Sequence, residues 1–181
     1  MVLHFVNIVI IAVFAKEYKM TGDLIVGIDV GVHPAVFKLY IDGSYKLFIC
    51  KDLKEFQNEM LILPKDTMAI IEKVWSMPGN GHMGAFNFGH SCGFIEGVIT
   101  SRFNRVYKVA PQKWKSYYKI TKHNAGLYDK DKTPSITKAK ELYPDETFLA
   151  TPQSRIPNHN LCEAALLARY LKDNWRNLCQ E

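Results

Sequence analysis

Leu24-Ile25-Val26-Gly27-Ile28-Asp29-Val30-Gly31 is an apolar, largely β-branched run that changes character at an acid and a glycine. Such a run reads as a buried strand, and its end delivers the carboxylate of Asp29 to the edge of a cavity. Working outward, Ala35 to Tyr40 and Tyr45 to Cys50 flank the turn signal Asp42-Gly43 and predict a hairpin following that first strand. Three antiparallel strands therefore open the fold. Asp52 to Met60 has the composition of a short amphipathic helix, and Thr67 to Val74 is a second buried strand carrying one acid, Glu72. Past a glycine and proline loop from Met77 to Gly81, a helical stretch carries Gly89, Gly93 and Gly97 at four-residue spacing. Glycines inside a helix cost about 1 kcal/mol each relative to alanine, so a stripe of them implies a close neighbour: a sheet surface or a nucleic-acid backbone. Arg105 to Val109 reads as a third buried strand. Pro111 to Tyr118 begins a basic, aromatic segment, and Ser135 to Leu142 and Asn160 to Trp175 are helices. The order predicts a mixed α/β fold with an antiparallel start and parallel additions.

A chain of 181 residues, 48% hydrophobic and 23% charged, is long enough for one domain with a sizeable core and too short for two ordinary domains. The mean hydropathy of −0.11 suggests neither disorder nor a membrane bundle. The apolar run from Met1 to Ala15 resembles the core of a signal peptide but has no positive charge before it and is too short to span a bilayer. Residues 1–20 read as an extension outside the functional core, with an extra strand or an anchor as the alternatives, and 21–181 as the working domain. Cys50, Cys92, Cys162 and Cys179 have no zinc-ligand spacing, and three lie in apolar contexts, which points to a reducing compartment.

Charge becomes informative once it is located. From Ser101 to Lys140 there are eleven Lys or Arg against Asp129 and Asp131, a balance of +9 that leaves −4 for the rest of a chain whose total is +5. A basic segment on a slightly acidic body suits a surface that neutralises phosphates while the remainder holds carboxylates. A solvated lysine-rich face is the plainer alternative.

Carboxylates are rarely buried without a cation, so Asp29 and Glu72 each call for a lysine, an arginine or a metal ion. A turn-capping role for Asp29 and a water-facing edge-strand position for Glu72 are the competing readings. In the last helix, His159 and Glu163 lie four apart and Asn160 and Glu163 three apart, so all share a face. Spacing alone favours a simple helix start, with Asn158 or Asn160 as N-cap and Glu163 interacting with the dipole. His82, His90 and His123 read as solvated loop histidines.

Taken in order, Gly27-Ile28-Asp29-Val30-Gly31, Ile71-Glu72-Lys73-Val74, Met77-Pro78-Gly79-Asn80-Gly81, Phe86-Asn87-Phe88-Gly89-His90-Ser91-Cys92-Gly93, Val109-Ala110-Pro111-Gln112-Lys113-Trp114-Lys115 and His159-Asn160-Leu161-Cys162-Glu163-Ala164-Ala165-Leu166-Leu167-Ala168 resemble the RuvC-like Holliday-junction resolvases, especially their phage and viral branch. No single piece is specific; six in one order, spanning about Asp23 to Tyr170, are. The resemblance implies a ribonuclease H-like fold: a mixed central sheet, its first three strands antiparallel, with helices on both faces. It also implies a DNA endonuclease, magnesium-dependent and specific for four-way or other branched DNA. Asp29, Glu72, His159 and Glu163 would form the catalytic site. With Asn160 as a further candidate ligand, they would hold two Mg²⁺, for which Mn²⁺ may substitute, and two ions about 3.5–4 Å apart can activate water and stabilise the leaving oxygen. Family members usually carry an aspartate where this chain has Asn158, His159 and Asn160. A neutral side chain is a weaker Mg²⁺ ligand, which His159 would offset as a ligand or in proton transfer.

Lys113, Lys115, Lys119 and Lys122 are candidates for phosphate contact, and Trp114, Tyr117 and Tyr118 for stacking on exposed bases. Core packing is the plainer reading of Trp114. A homodimer would place two sites across a two-fold junction, with the glycine-striped helix from Phe86 to Ile99 as the candidate interface and burial on its own sheet as the alternative. The expected location is cytoplasmic, or within the host cell, with no membrane association. Two rivals remain. One is a non-catalytic junction-binding protein of the same fold. The other is an actin-like ATPase or sugar-kinase fragment, whose duplicated domain and second phosphate loop do not fit in 181 residues.

Overall fold

The computed structural model describes residues 24–74, 81–120 and 133–178. The proposed extension over residues 1–20, most of the loop from Met77, and Lys122 and His123 lie outside the described residues. A five-stranded sheet is built from β1 (Leu24–Asp29), β2 (Ala35–Tyr40), β3 (Tyr45–Ile49), β4 (Met68–Glu72) and β5 (Arg105–Val109). The spatial order is β3-β2-β1-β4-β5. β2 pairs antiparallel with both β1 and β3, whereas β4 is parallel to both β1 and β5. This is the antiparallel opening with parallel additions that the sequence predicts.

Helices cover both faces. Successive strand residues point to opposite sides, and the two resulting faces carry separate apolar cores. On one lie Ile25, Phe37, Leu39, Met68 and Ile70, packed under α3 (Pro111–Tyr117), α4 (Thr133–Leu142) and α5 (His159–Leu178). On the other, Leu24, Val26, Ile28, Val36, Ala69 and Ile71 pack under α1 (Leu53–Leu61) and α2 (His82–Arg102). Asp52 caps α1, its carboxylate accepting from the Glu55 backbone N–H at 2.7 Å. The segment after Pro111, read only as basic and aromatic, is helical, with proline in the first turn where its missing N–H is harmless.

Gly27 is where α5 meets the sheet. A Cβ there would lie 2.1 Å from the carbonyl oxygen of Ala164 and 2.6 Å from the backbone nitrogen of Ala168. Small residues on both sides permit this approach, which brings the first turns of α5 down onto the end of β1.

Two expectations about α2 are corrected. The helix buries Ser91, Ile95, Val98 and Ile99 against the sheet. Gly89, Gly93 and Gly97 face outward, and a Cβ on any of them would find nothing within 4 Å. The stripe therefore does not serve close packing on the protein's own sheet; the larger apolar residues do that work on the opposite side of the helix. His82 and His90 are exposed, as expected, but on this helix and not in a loop.

Candidate active site

Both sheet acids close a strand. Asp29 is the last residue of β1 and Glu72 the last of β4, so Glu72 does not lie within a longer strand reaching Val74 as the sequence suggested. The register pairs Ile28 with Ile71, which sets Asp29 beside Glu72 at the same end of two parallel strands. Alternation decides their direction: Ile25, Gly27 and Asp29 share one side of β1, and Met68, Ile70 and Glu72 the same side of β4. That is the side covered by α5, whose first turns bring His159 and Glu163 to the same corner.

Glu163 is 6% exposed, and three groups meet one of its oxygens. The Ser135 hydroxyl donates to Oε1 at 3.0 Å, the Lys115 ammonium lies 3.4 Å away, and His159 Nε2 lies 3.2 Å away. The His159 contact falls outside hydrogen-bond geometry, leaving this buried nitrogen without a hydrogen-bond partner among the described residues. At 3.2 Å the imidazole still helps hold the Glu163 carboxyl low, by direct contact as well as by charge. Glu72 is held differently: the Trp114 indole N–H donates to its Oε1 at 2.8 Å.

The charges do not balance. Burial pushes the Asp29 carboxyl well above its ordinary value, and the neighbouring Glu163 and Glu72 push it further, against a smaller opposing pull from Lys115. Glu72 is raised as well, chiefly by burial, with Trp114 and Lys115 opposing. For Glu163 burial acts in the same upward direction, but His159, Lys115 and Ser135 outweigh it and hold the carboxyl low. Three carboxylates thus face one ammonium, an arrangement that favours additional positive charge.

A divalent ion fits this chemistry. The donors are hard carboxylate oxygens with an imidazole nitrogen beside them, and the burial and, after it, the repulsion that raise Asp29 are what a cation would offset. Among the described residues, no three His, Cys, Asp or Glu side chains are already gathered as a preformed metal cage.

Comparison with known proteins sharpens the picture of the fold. No family model matches the chain, and no curated protein matches it in sequence. Solved structures do. Thermus thermophilus RuvC superposes with a TM-score of 0.54 at 14% identity, over 85% of this chain and 96% of that one. The structure of T. thermophilus RuvC in complex with Holliday junction substrate gives 0.52 at 13%, over 86% and 96%. The yeast mitochondrial Holliday junction resolvase Ydc2 gives 0.52 at 13%, over 86% and 82%. The fold is RuvC-like. At such identities the likeness concerns the fold alone.

Within this RuvC-like fold the remaining candidates separate. Trp114 is fully buried and hydrogen-bonded to Glu72, so of its two readings core packing holds and it is not available for stacking on bases. Tyr118 is likewise enclosed, its hydroxyl donating to the carbonyl of Leu166 at 2.9 Å; Tyr117 stays 46% exposed. Lys113 and Lys119 are exposed, whereas Lys115 turns inward to the acids. The basic stretch is partly neutralised within the molecule, since Lys108 pairs with Glu96 and Lys138 with Glu141. Asn158 is the N-cap of α5, its Oδ1 accepting from the backbone N–H groups of Asn160 and Leu161 at 3.0 and 3.2 Å. Asn160 itself is exposed. Ser135, buried at the start of α4, was not singled out by sequence reasoning: an isolated serine carries no motif, and only the docking of α4 beside α5 brings it to Glu163.

Proposed function

We propose that the chain is a metal-dependent, structure-specific endonuclease acting on four-way or other branched DNA. The observation that carries this reading is the corner where Asp29 and Glu72, ending neighbouring parallel strands, face Glu163 of α5 with Lys115 as the cation paired there. Nuclease chemistry needs such a set of acids, and the solved neighbours sharing the fold include Holliday junction resolvases.

Asp29, Glu72 and Glu163, with His159 beside them, would hold two Mg²⁺, or Mn²⁺ in their place. When bound, these ions supply Lewis-acid activation of water and charge stabilisation at the phosphorus. Asp29 must give up a proton that its surroundings favour keeping. Lys115, paired with Glu163 in the free protein, would be shared with a scissile phosphate. His159 Nε2, 3.2 Å from Glu163, would take or return a proton at the acids' edge. Exposed Lys113 and Lys119 would hold the DNA backbone, with Lys122 in the same segment; such contacts position DNA without reading its sequence, as recognition of branched shape requires. Asn160, exposed on the first turn of α5, is a peripheral candidate ligand. A homodimer, joined along the outward glycine face of α2, would set two sites on one junction. No helix among the described residues is long and apolar enough to cross a membrane.

The non-catalytic alternative draws on the neutral Asn158, His159 and Asn160 at the start of the last helix, where a further acid would strengthen a metal site. Incubating the protein with labelled four-way and linear DNA, with Mg²⁺ and with chelator, separates the readings. Magnesium-dependent incisions on the junction are expected. Tight junction binding without incision under Mg²⁺ or Mn²⁺ would leave only a binding protein.

A further inference from the structure

Glu72 and Glu163 share a pattern. Among the described residues, every hydrogen bond and ion pair made by these two carboxylates falls on Oε1: from Trp114 in Glu72, and from Ser135, Lys115 and His159 in Glu163. The two neutral donors are among the most enclosed groups in the molecule, Trp114 and Ser135 both being 0% exposed. An indole N–H can only donate and has no alternative partner in an apolar core, so at 2.8 Å it ties Glu72 to one orientation. Ser135 does the same for Glu163 from a different helix. Enclosed donors of this kind resist reorientation, because turning away would leave a buried polar group unsatisfied.

We infer that Trp114 and Ser135 are positioning residues of the metal site, each holding Oε1 of one glutamate so that the second oxygen of that carboxylate stays uncommitted for a cation. The inference rests on the metal-dependent reading above and deepens it. Neither residue touches substrate or metal; both act through a glutamate. Trp114 is thereby more than core filling, and the adjacent Lys115, 5.0 Å from the Trp114 ring, reaches Glu163 from the same turn of α3. One short helix therefore contacts both glutamates.

The test is calorimetric titration of the full chain with Mn²⁺ in the absence of DNA. Outer-sphere partners of metal-binding carboxylates typically contribute about 10–100-fold in affinity. Trp114→Phe, which keeps most of the ring but loses the N–H, and Ser135→Ala should each weaken Mn²⁺ binding by about tenfold or more. A purely structural role would act regardless of the glutamate, so the variants are repeated in Glu72→Gln and Glu163→Gln backgrounds: Trp114→Phe should add no further loss to Glu72→Gln, nor Ser135→Ala to Glu163→Gln. Melting temperatures in chelator identify any variant that unfolds, and for Trp114 a Trp114→Tyr variant then replaces it in the same cycle. Unchanged Mn²⁺ affinity in both single variants, or equal losses with and without the glutamate, overturns the positioning role while leaving the nuclease reading intact. A wild-type chain that binds no Mn²⁺ and cuts no branched DNA overturns both.

Discussion

Gly27 and Ala164 meet backbone to backbone: a β-carbon on the strand would fall 2.1 Å from the helix carbonyl oxygen. No rotamer change relieves such a contact, because both partners are main chain. Gly27→Ala must lift α5 off the sheet, and with it His159 and Glu163. Overpacking of this kind costs about 1–3 kcal/mol, and in a domain of this size each kcal/mol lowers the melting temperature by about 2–4 °C. Thermal unfolding checks this, and a Gly27→Ala protein as stable as wild type would show that α5 can shift freely.

Asp29→Asn should abolish cleavage and leave junction binding nearly intact, and it should also raise the metal-free melting temperature by a few degrees at neutral pH. The sign follows from linkage. The folded Asp29 carboxyl titrates above its unfolded value because it is buried against Glu163 and Glu72. The fold therefore loses stability as pH rises from the unfolded value through the raised one, where only the unfolded chain gives up the proton readily. Asparagine removes that loss. Mg²⁺ should stabilise wild type at neutral pH and not the variant. Unfolding curves in chelator and in Mg²⁺ across mildly acid to neutral pH decide the point.

Glu163 has the opposite sign. Its carboxyl is held low despite burial, so its stabilisation is present above the unfolded value and disappears as pH falls through the lowered folded one. Lys115→Ala removes the ammonium 3.4 Å from it. We expect a lower metal-free melting temperature at neutral pH, with the deficit shrinking as the acids protonate. A deficit that stays constant with pH would mean Lys115 acts by packing alone.

Lys113→Ala should weaken binding on junction and linear DNA alike and reduce the slope of log affinity against log salt by about one. Binding measured from low to moderate salt tests it. An unchanged slope would place Lys113 away from phosphate.

Lys119 ends α3 with φ 57°, in the left-handed region. Its N–H donates to the Ser116 carbonyl, and the Ile120 N–H reaches back to Lys115 at 2.8 Å, a glycine-favouring helix stop. Lys119→Gly should stabilise the fold by about 1 kcal/mol, the penalty an L-residue pays in the left-handed region, while weakening DNA binding. Urea unfolding and a binding assay on the same sample separate the two effects.

The strands, hairpin and long helices were legible because their signals are local: apolar runs, Asp42-Gly43, and the small apolar residues after His159. Asp29 was legible for the same reason, as an acid ending such a run. For Trp114 both core packing and base stacking stayed open, because sequence cannot say which way an aromatic on a short helix turns, and the partner its indole finds, Glu72, lies 42 positions away. Ser135 was invisible, since its partner is 28 residues distant and nothing in its own neighbourhood marks it. The glycine stripe of α2 was seen but its direction was not, because spacing identifies a helical face without saying what lies opposite.

The seating of α5 on Gly27 also sets a sequence of events. Asp29 and Glu163 are brought together by contacts among the most distant in the described chain, and loops of that length close late and slowly. Until α5 docks, Asp29 and Glu72 have neither their third acid nor the helix that covers them. A growing or partly unfolded chain would thus hold two exposed acids with little capacity for concerted cutting. The corner would be complete only once α5 docks, so the close approach at Gly27 would time the assembly of the proposed site as well as pack it.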